Sequence, residues 1–294
     1  MAQGSDSGML TFPVVALVMF VLSAAESERM RMFWLEMVLL GGACVITYIM
    51  RAVLPNDSYD LSVGVGLILV TGWRPFVVTL VSVLGLIFVD QSMKQRKYPS
   101  KVFGIIAKIT AGLMMTVVSL YVAALAINAL SPGSLGLLSQ SAWFTFNDKW
   151  GSGRGATWQA GWMCFVEQNY LHILVGVGPD AMSFFEYDAG SAGLQSLLEE
   201  NFGSSLLTNA HNEWLTVLVD IGILGVITFV GMMLTGIWRF LKKGRNRITF
   251  ACGLCLLAYT VNNMFSFQQS MNTSTMFAIF GIGGAFLRAE MNIE

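Results

Sequence analysis

The sequence predicts an all-α, polytopic integral membrane protein with about seven to eight transmembrane helices and one large extracytoplasmic loop that carries short amphipathic helices. Three observations lead to this fold class. Charged residues make up only 12% of the chain, about half of what soluble domains carry. Hydrophobic residues make up 55% of it, and its mean hydropathy is +0.64. Apolar runs near bilayer length recur along the sequence, and one polar stretch, 131–211, interrupts them.

The apolar runs define the predicted membrane segments. These are 9–24, 33–53, 61–72, 75–90, 102–129, 212–240, 249–268 and 273–288. The pair 61–72 and 75–90 allows two interpretations, one long tilted helix or two short helices hinged at Gly72–Pro75, because each run is short for a full crossing. Pro75 favours the hinge, since it lacks an amide hydrogen and disfavours helix in the residue before it.

One membrane domain accounts for the whole chain. It consists of N-terminal helices (1–130), a polar loop (131–211) and C-terminal helices (212–294). The segments Lys94–Lys101 and Arg239–Arg247 are basic, and the positive-inside rule places both in the cytoplasm. The polar loop between the flanking helices is therefore predicted to be extracytoplasmic.

Two surface helices are predicted within the polar loop. The first begins at Thr157 and ends at the glycines and proline of Gly176–Asp180, and it could lie flat on the membrane. Its apolar residues recur near helical spacing and are Trp158, Trp162, Phe165, Val166 and Ile173. The second covers about 192–202, while residues 131–155 are rich in Gly, Ser and Asn and are predicted to be loop.

Several common chemistries find no support in the sequence. Cys252 and Cys255 lie inside an apolar run, so we interpret them as small helix residues rather than a redox pair. Glu186 and Asp188 offer too few oxygen ligands to specify a divalent ion, and a solvated acidic loop is favoured there. We expect no metal, no cofactor and no nucleic-acid partner, and no cleavable signal peptide, because residues 1–8 lack a positive region.

Two residues of the polar loop stand out chemically. Arg154 lies in Gly151–Trp158, and His211 lies in Leu207–Leu215, directly before a membrane segment. A permanently charged guanidinium and a titratable imidazole beside a bilayer suggest chemistry on a lipid-linked anion. The only other histidine, His172, lies between two apolar residues and is interpreted as an ordinary interfacial residue.

The order and spacing of these motifs resemble the O-antigen ligase and Wzy polymerase family over about residues 61–240. The matching motifs are Arg154-Gly155-Ala156-Thr157-Trp158, Gly176-Val177-Gly178-Pro179, Ala210-His211-Asn212-Glu213-Trp214-Leu215 and Asp220-Ile221-Gly222-Ile223-Leu224-Gly225. Upstream, Thr71–Pro75 resembles the family's Ser-Arg-Gly hinge, with Trp73 in place of the serine and Pro75 in place of the glycine. Members of the family are usually longer and have more spans before the hinge.

The resemblance implies a glycosyltransferase with a GT-C-like helical fold in the cytoplasmic (inner) membrane of a bacterium. Such proteins transfer a glycan from a polyprenyl diphosphate carrier to a glycolipid or a growing polysaccharide on the outer side of that membrane. The implied reaction inverts the anomeric centre and needs no metal.

The resemblance and the chemistry of the residues together suggest three catalytic candidates. Arg154, and second Arg74, would hold the diphosphate, because arginine grips phosphate oxygens bidentately. His211 would take the proton of the acceptor hydroxyl. The alternatives are a headgroup contact for Arg154, a snorkelling side chain for Arg74, and for His211 a polar residue at a helix start, a job that Asn209 could also do.

Substrate contacts are expected from Trp158 and Asn212, which belong to the same motifs, and from Asn209, which directly precedes one of them. Asp220 is separate, because nine residues of regular helix would place it about 180° around and roughly 13 Å from His211. We expect Asp220 to pair with a neighbouring helix.

Two other functions fit the composition. A polysaccharide or lipid-carrier transporter would place ionisable residues at mid-membrane and often shows inverted repeats, and we find no repeat in this sequence. A non-catalytic fragment or assembly partner would suit the short N-terminal half.

Overall fold

A computed structural model describes residues 6–53, 69–203, 205–244, 246–267 and 269–292. Over these residues the regular structure is entirely helical. The main helices are α1 (Asp6–Ser23), α2 (Ser27–Val53), α3 (Arg74–Lys94), α4 (Ser100–Leu130), α5 (Trp150–Val166), α6 (Tyr170–Val175), α7 (Ala192–Phe202), α8 (Glu213–Lys242), α9 (Arg247–Asn262) and α10 (Ser270–Met291).

Four of these helices, α2, α3, α4 and α8, are long and apolar enough to cross a membrane. Shorter apolar helices lie at Leu10–Ser23 and Arg247–Asn262. The chain is therefore all-α with the apolar helices of a membrane-embedded protein, as the sequence predicts. Most of the predicted segment 61–72 lies outside the described residues.

Contacts group the chain into two units, Met1–Met115 and Thr116–Glu294. In the first unit α2 and α3 pack closely because, at two positions along their interface, a glycine of one helix lies against a larger residue of the other. A Cβ added to Gly41 would come within 2.6 Å of the Thr79 hydroxyl, and one added to Gly85 would come within 2.5 Å of the Trp34 ring. Small residues at such positions let membrane helices approach closely.

An ion pair also joins α2 and α3, since Arg31 Nε donates to Asp90 Oδ1 at 2.7 Å. In the same unit Phe103, near the start of α4, contacts the rings of Phe20 and Phe88 at centroid distances of 6.4 and 6.1 Å.

The second unit begins with the C-terminal part of α4, from Thr116 onward, and the next stretch of chain folds back on it. The Tyr121 hydroxyl donates to the Trp143 carbonyl at 2.9 Å, and Asn128 Nδ2 donates to the Phe144 carbonyl at 2.8 Å. The stretch predicted to be loop contains one short 3₁₀ helix, Gly136–Gln140, and the regular part of α5 begins at Arg154, just before the predicted start at Thr157.

The predicted single helix from Thr157 to Gly176 is wrong. It is two helices, α5 and α6, because Asn169 starts a new helix by accepting the amide hydrogen of His172 on its side-chain oxygen at 3.0 Å. Helix α5 buries small residues rather than its aromatic ones, and those are Gly155, Ala156, Thr157, Ala160, Gly161 and Cys164. Trp162 and Val166 remain about half exposed, at 53% and 48%.

The predicted second surface helix is confirmed as α7, which the Ser191 side chain caps by accepting from the Leu194 amide at 3.2 Å. Its inner face joins a core shared with α5 and the start of α8. The buried members are Ala160, Cys164, Met182, Leu194, Leu198, Leu207, Ala210 and Val219. The polar loop therefore packs around a hydrophobic core that it shares with the start of α8.

Helix α8 is not regular, because Gly222 breaks it at φ 67° and ψ −173°. The break leaves carbonyl groups of α8 without their usual helical partners, and these carbonyls accept hydrogen bonds from the chain that follows α6. Val177 donates its amide to the Val219 carbonyl at 3.1 Å, and Gly178 donates to the Asp220 carbonyl at 2.9 Å. The roughly 20 residues beyond the break, Ile223–Lys242, are about 30 Å long, which matches the hydrocarbon core of a bilayer.

The break corrects the prediction for Asp220. The spacing from His211 assumed a regular helix, and the helix is interrupted two residues after Asp220. Its carboxylate accepts the Asp180 amide at 3.0 Å, with the Ala181 and Met182 amides beside it. Asp220 thus binds a loop backbone rather than a charged partner on a neighbouring helix.

The last three helices, α8, α9 and α10, share a second core. Its buried members are Met233, Phe240, Cys252, Leu256, Met276 and Leu287. Cys252 packs there as a small apolar residue, and both Cys252 and Cys255 are free thiols. Helix α9 ends at Asn262, so the predicted membrane segment 249–268 ends in an irregular stretch.

Candidate functional site

Arg154 starts the regular part of α5, directly after a left-handed turn. Gly151, Ser152 and Gly153 have φ values of 60°, 63° and 89°. This turn lets the guanidinium fold back, so that Nη1 donates to the Gly151 carbonyl at 2.8 Å while Nε donates to the Phe265 carbonyl at 3.1 Å. The guanidinium is therefore oriented by two neutral acceptors, and its other N–H groups have no partner among the described residues.

His211 is the second predicted site residue, and it precedes α8 in a strained conformation. Its φ is 49°, a left-handed value that is uncommon for a residue other than glycine. The Asn209 side chain stabilises this turn by accepting the His211 amide hydrogen at 3.0 Å. The imidazole meets the Phe267 ring edge to face, with centroids 5.1 Å apart and an angle of 88°.

Arg154 and His211 contact the same short stretch of chain, Arg154 at the Phe265 carbonyl and His211 at the Phe267 ring. Burial lowers the pKa of His211 below its ordinary value, and the nearby positive charge of Arg154 lowers it further. Both effects favour the neutral imidazole near pH 7, which is the form that accepts a proton. A fixed cation and a neutral base therefore share one site in the second unit.

A short loop after α9, residues 263–267, holds both side chains. The Phe265 carbonyl receives the Arg154 bond and the Phe267 ring receives the His211 contact. The Glu213 amide at the start of α8 donates to the carbonyls of Asn263 and Ser266, at 2.8 and 3.0 Å. No sequence pattern indicates this role, because these phenylalanines continue an apolar run that predicts a membrane segment.

Trp158 lies one turn after Arg154 and beside the same loop. Its ring stacks on Phe265 with a centroid distance of 6.2 Å and contacts Trp150 at 5.3 Å. The Trp158 Nε1 atom is buried and has no acceptor among the described residues. Its predicted contact with substrate stays a prediction.

Asn212 and Asn209 serve the backbone around His211. Asn212 caps α8, since its side-chain oxygen accepts the Leu215 amide at 3.3 Å. The N-cap role at the start of α8, for which the sequence suggested His211 or Asn209, is therefore filled by Asn212. The Asn209 side chain instead holds the His211 amide and donates to the Thr208 hydroxyl at 3.1 Å. Substrate contact by either amide stays a prediction.

Arg74 belongs to the first unit. It is the exposed first residue of α3, and its Nη1 donates to the Thr71 hydroxyl at 3.3 Å. Gly72, with φ 61°, forms the turn before it, so the chain does bend where the hinge is predicted. The role of Arg74 in holding diphosphate stays a prediction.

Glu186 differs from its prediction as part of a solvated acidic loop, because it is fully buried while Asp188 is exposed. The Cys164 thiol approaches Glu186 Oε1 at 3.7 Å, and Oε2 has no partner within the described part of the chain. Burial raises the pKa of Glu186 to about 8 and also raises the pKa of the Cys164 thiol. Among the described residues no group of three or more His, Cys, Asp or Glu side chains is placed to hold a metal ion.

Comparison with protein-family models, curated proteins and solved structures found no match to this chain. The functional assignment therefore depends on the site itself.

Proposed function

We propose that this protein is a membrane glycosyltransferase of the O-antigen ligase or polysaccharide polymerase type. It transfers a glycan from a polyprenyl diphosphate carrier to a lipid- or sugar-linked acceptor. The reaction takes place on the outer side of the cytoplasmic membrane of a bacterium. Two features of one site carry the proposal. The guanidinium of Arg154 has N–H groups without a partner among the described residues, and the pKa of the nearby His211 is lowered, which favours its neutral form.

Each group supplies one part of the reaction. The acceptor hydroxyl attacks the anomeric carbon of the donor sugar and gives its proton to His211. The bond between that carbon and the diphosphate oxygen breaks, and its electron pair leaves with the polyprenyl diphosphate. Arg154 binds the negative charge that grows on this leaving group, and such stabilisation is strongest where water is scarce. Attack opposite the leaving group inverts the anomeric centre.

The neutral acceptors around Arg154 support this role. An arginine paired with a carboxylate has little charge to offer to a ligand, whereas Arg154 is oriented by the carbonyls of Gly151 and Phe265. Burial lowers the pKa of His211, and the positive charge of Arg154 lowers it further, so the group that binds the donor also favours the deprotonated base.

The proposed topology has seven to eight helices across the membrane, and seven of them are the four long apolar helices together with α1, α9 and α10. The polar loop, 131–211, then lies outside the cytoplasm. The helix break at Gly222 would mark the outer membrane surface, because about 20 apolar residues come after it. In this arrangement Trp158, Asn209 and Asn212 contact the substrates.

A reconstitution assay tests the proposal. Purified protein in vesicles receives a polyprenyl diphosphate-linked glycan with either a core glycolipid or further donor as acceptor. Transfer with release of the carrier diphosphate is expected for the wild type. Arg154→Ala and His211→Ala should each lower the rate about a hundred- to a thousandfold, whereas His172→Ala, the matched control, should keep it.

The alternatives give different results in the same vesicles. A transporter would move the glycan lipid across the bilayer without cleaving it, and an assembly partner would do neither. Equal transfer rates in the wild type, Arg154→Ala and His211→Ala would refute the mechanism.

A further inference from the structure

We infer that the loop 263–267 is a positioning element that sets the relative placement of the Arg154 guanidinium and the His211 imidazole. The inference depends on the proposed function for its catalytic meaning. Its structural content depends only on contacts of this loop. Phe267 is its central side chain, and Phe265 acts through its main-chain carbonyl.

The first contact fixes the guanidinium. Arg154 Nε donates to the Phe265 carbonyl at 3.1 Å, and Nη1 donates to the Gly151 carbonyl at 2.8 Å. Two acceptors from distant parts of the chain define the plane of the group, so rotation about its terminal bonds is restricted. The N–H groups on the opposite edge are therefore presented in one direction.

The second contact fixes the imidazole. The Phe267 ring stands at 88° to His211 with centroids 5.1 Å apart, an edge-to-face geometry that aromatic pairs prefer. This ring covers part of the imidazole and keeps water from it, which agrees with burial as the main cause of the lowered pKa of His211. Phe267 thus restrains both the orientation and the hydration of the base.

The loop is itself anchored next to the base. The Glu213 amide donates to the carbonyls of Asn263 and Ser266, on the two sides of Phe265. Glu213 lies two residues after His211, and Asn263 is buried, with a relative exposure of 3%. Because the loop and the base share this anchor, displacement of the loop would move Arg154 and His211 relative to each other.

Catalysis is sensitive to such displacement. A misplacement of about 1 Å can lower a rate about a hundredfold, because the reacting groups must meet within a narrow range of geometry. We therefore expect loss of the Phe267 ring to affect turnover more than donor binding, since Arg154 keeps its charge.

The test uses the full chain in detergent micelles or nanodiscs with labelled histidine. The protein has two histidines, so a His172→Gln background leaves His211 as the only signal to titrate by NMR. Phe267→Leu should move the pKa of His211 upward, toward that of a free imidazole, and should lower the turnover number about tenfold with little change in the KM for donor. Phe267→Tyr keeps the ring and should retain both properties.

Phe229→Leu is the matched control, because Phe229 makes a comparable contact with Trp214 at 5.6 Å on α8. It should leave the titration of His211 unchanged. An unchanged pKa of His211 in Phe267→Leu would overturn the inference. If Phe267→Leu does not fold, Phe267→Met replaces it under the same criterion.

The titration needs no catalytic activity, so the two proposals fail separately. If no variant transfers glycan but Phe267→Leu still moves the pKa of His211, the positioning loop stands and the proposed reaction falls. If transfer occurs but Phe267→Leu changes neither the pKa of His211 nor the turnover number, the proposed reaction stands and the positioning loop falls.

Discussion

The α2–α3 pair of the first unit and the Arg154–His211 site of the second unit both place an arginine near the packing of long helices, but they use it differently. Arg31 is neutralised by Asp90 at 2.7 Å, and the pair joins two regular helices. Arg154 is held by two carbonyls, which orient it without cancelling its charge. The difference separates a charge that links helices from a charge that is available to a ligand.

The backbone shows the same contrast. Within the described residues of the first unit, positive φ values occur only at Gly72 and Arg96. The second unit has many, and three of them, at Ser152, Asp180 and His211, fall on residues other than glycine. Strained backbone of this kind is concentrated at functional sites, where surrounding contacts compensate for it.

The largest expected effect compares the two arginines. Arg154→Ala should lower the transfer rate about a thousandfold with little change in the amount of folded protein. Arg31→Ala should instead lower the thermal stability and leave the rate per folded molecule within about threefold. Transfer assays and melting curves on both variants check this, and a matching loss of transfer in Arg31→Ala would erase the contrast.

The next effect concerns the close approach of α6 and α8. A Cβ added to Gly176 would overlap the Asp220 carbonyl, and its φ of 81° disfavours other residues. Gly176→Ala should therefore destabilise the second unit by about 3 kcal/mol or more. Gly136→Ala has a left-handed φ of 57° in open space and should cost only about 1 kcal/mol. Equal melting temperatures for the two variants would contradict the close contact.

The buried carboxyl predicts an effect that depends on pH. The pKa of Glu186 is raised to about 8, so the folded protein keeps a proton that the unfolded chain releases above the ordinary value of 4.5. The stability that Glu186 contributes is therefore complete below pH 4.5 and is lost as the pH rises to 8. The group that faces this carboxyl is the Cys164 thiol, 3.7 Å from Glu186 Oε1.

Glu186→Gln removes that proton equilibrium. It should be more stable than the wild type at pH 8 by roughly 4 kcal/mol, and the difference should shrink toward pH 5. Glu199→Gln, at an exposed position, should show no such trend. A pH-independent difference between Glu186→Gln and the wild type would mean that Glu186 is charged in the folded protein.

Local sequence patterns predicted some helices and missed the interruptions between others. Helix α7 was predicted from the spacing of Leu194 and Leu198, and both are buried. The division of α5 from α6 at Asn169 was missed because the apolar spacing continues across it. The break at Gly222 was missed for a similar reason, since the apolar run there resembles one continuous membrane helix.

The candidate site was predictable only in part. Arg154 and His211 were predicted from the order of motifs, and in the structure both contact the loop 263–267. Phe265 and Phe267 were not found, because Phe265 is 111 positions from Arg154 and its contribution is a carbonyl, which no residue type encodes. The burial of Glu186 was equally invisible, since it arises from tertiary packing around an acidic residue.

The most direct test of the shared site is the titration of His211 in variants of Arg154. In the His172→Gln background, Arg154→Ala should raise the pKa of His211 toward its ordinary value, because a nearby positive charge has been removed. Arg154→Lys keeps the positive charge, so the pKa of His211 in this variant should stay close to its value in the protein that retains Arg154. A His211 titration that is identical in all three proteins would show that the two groups do not share one site.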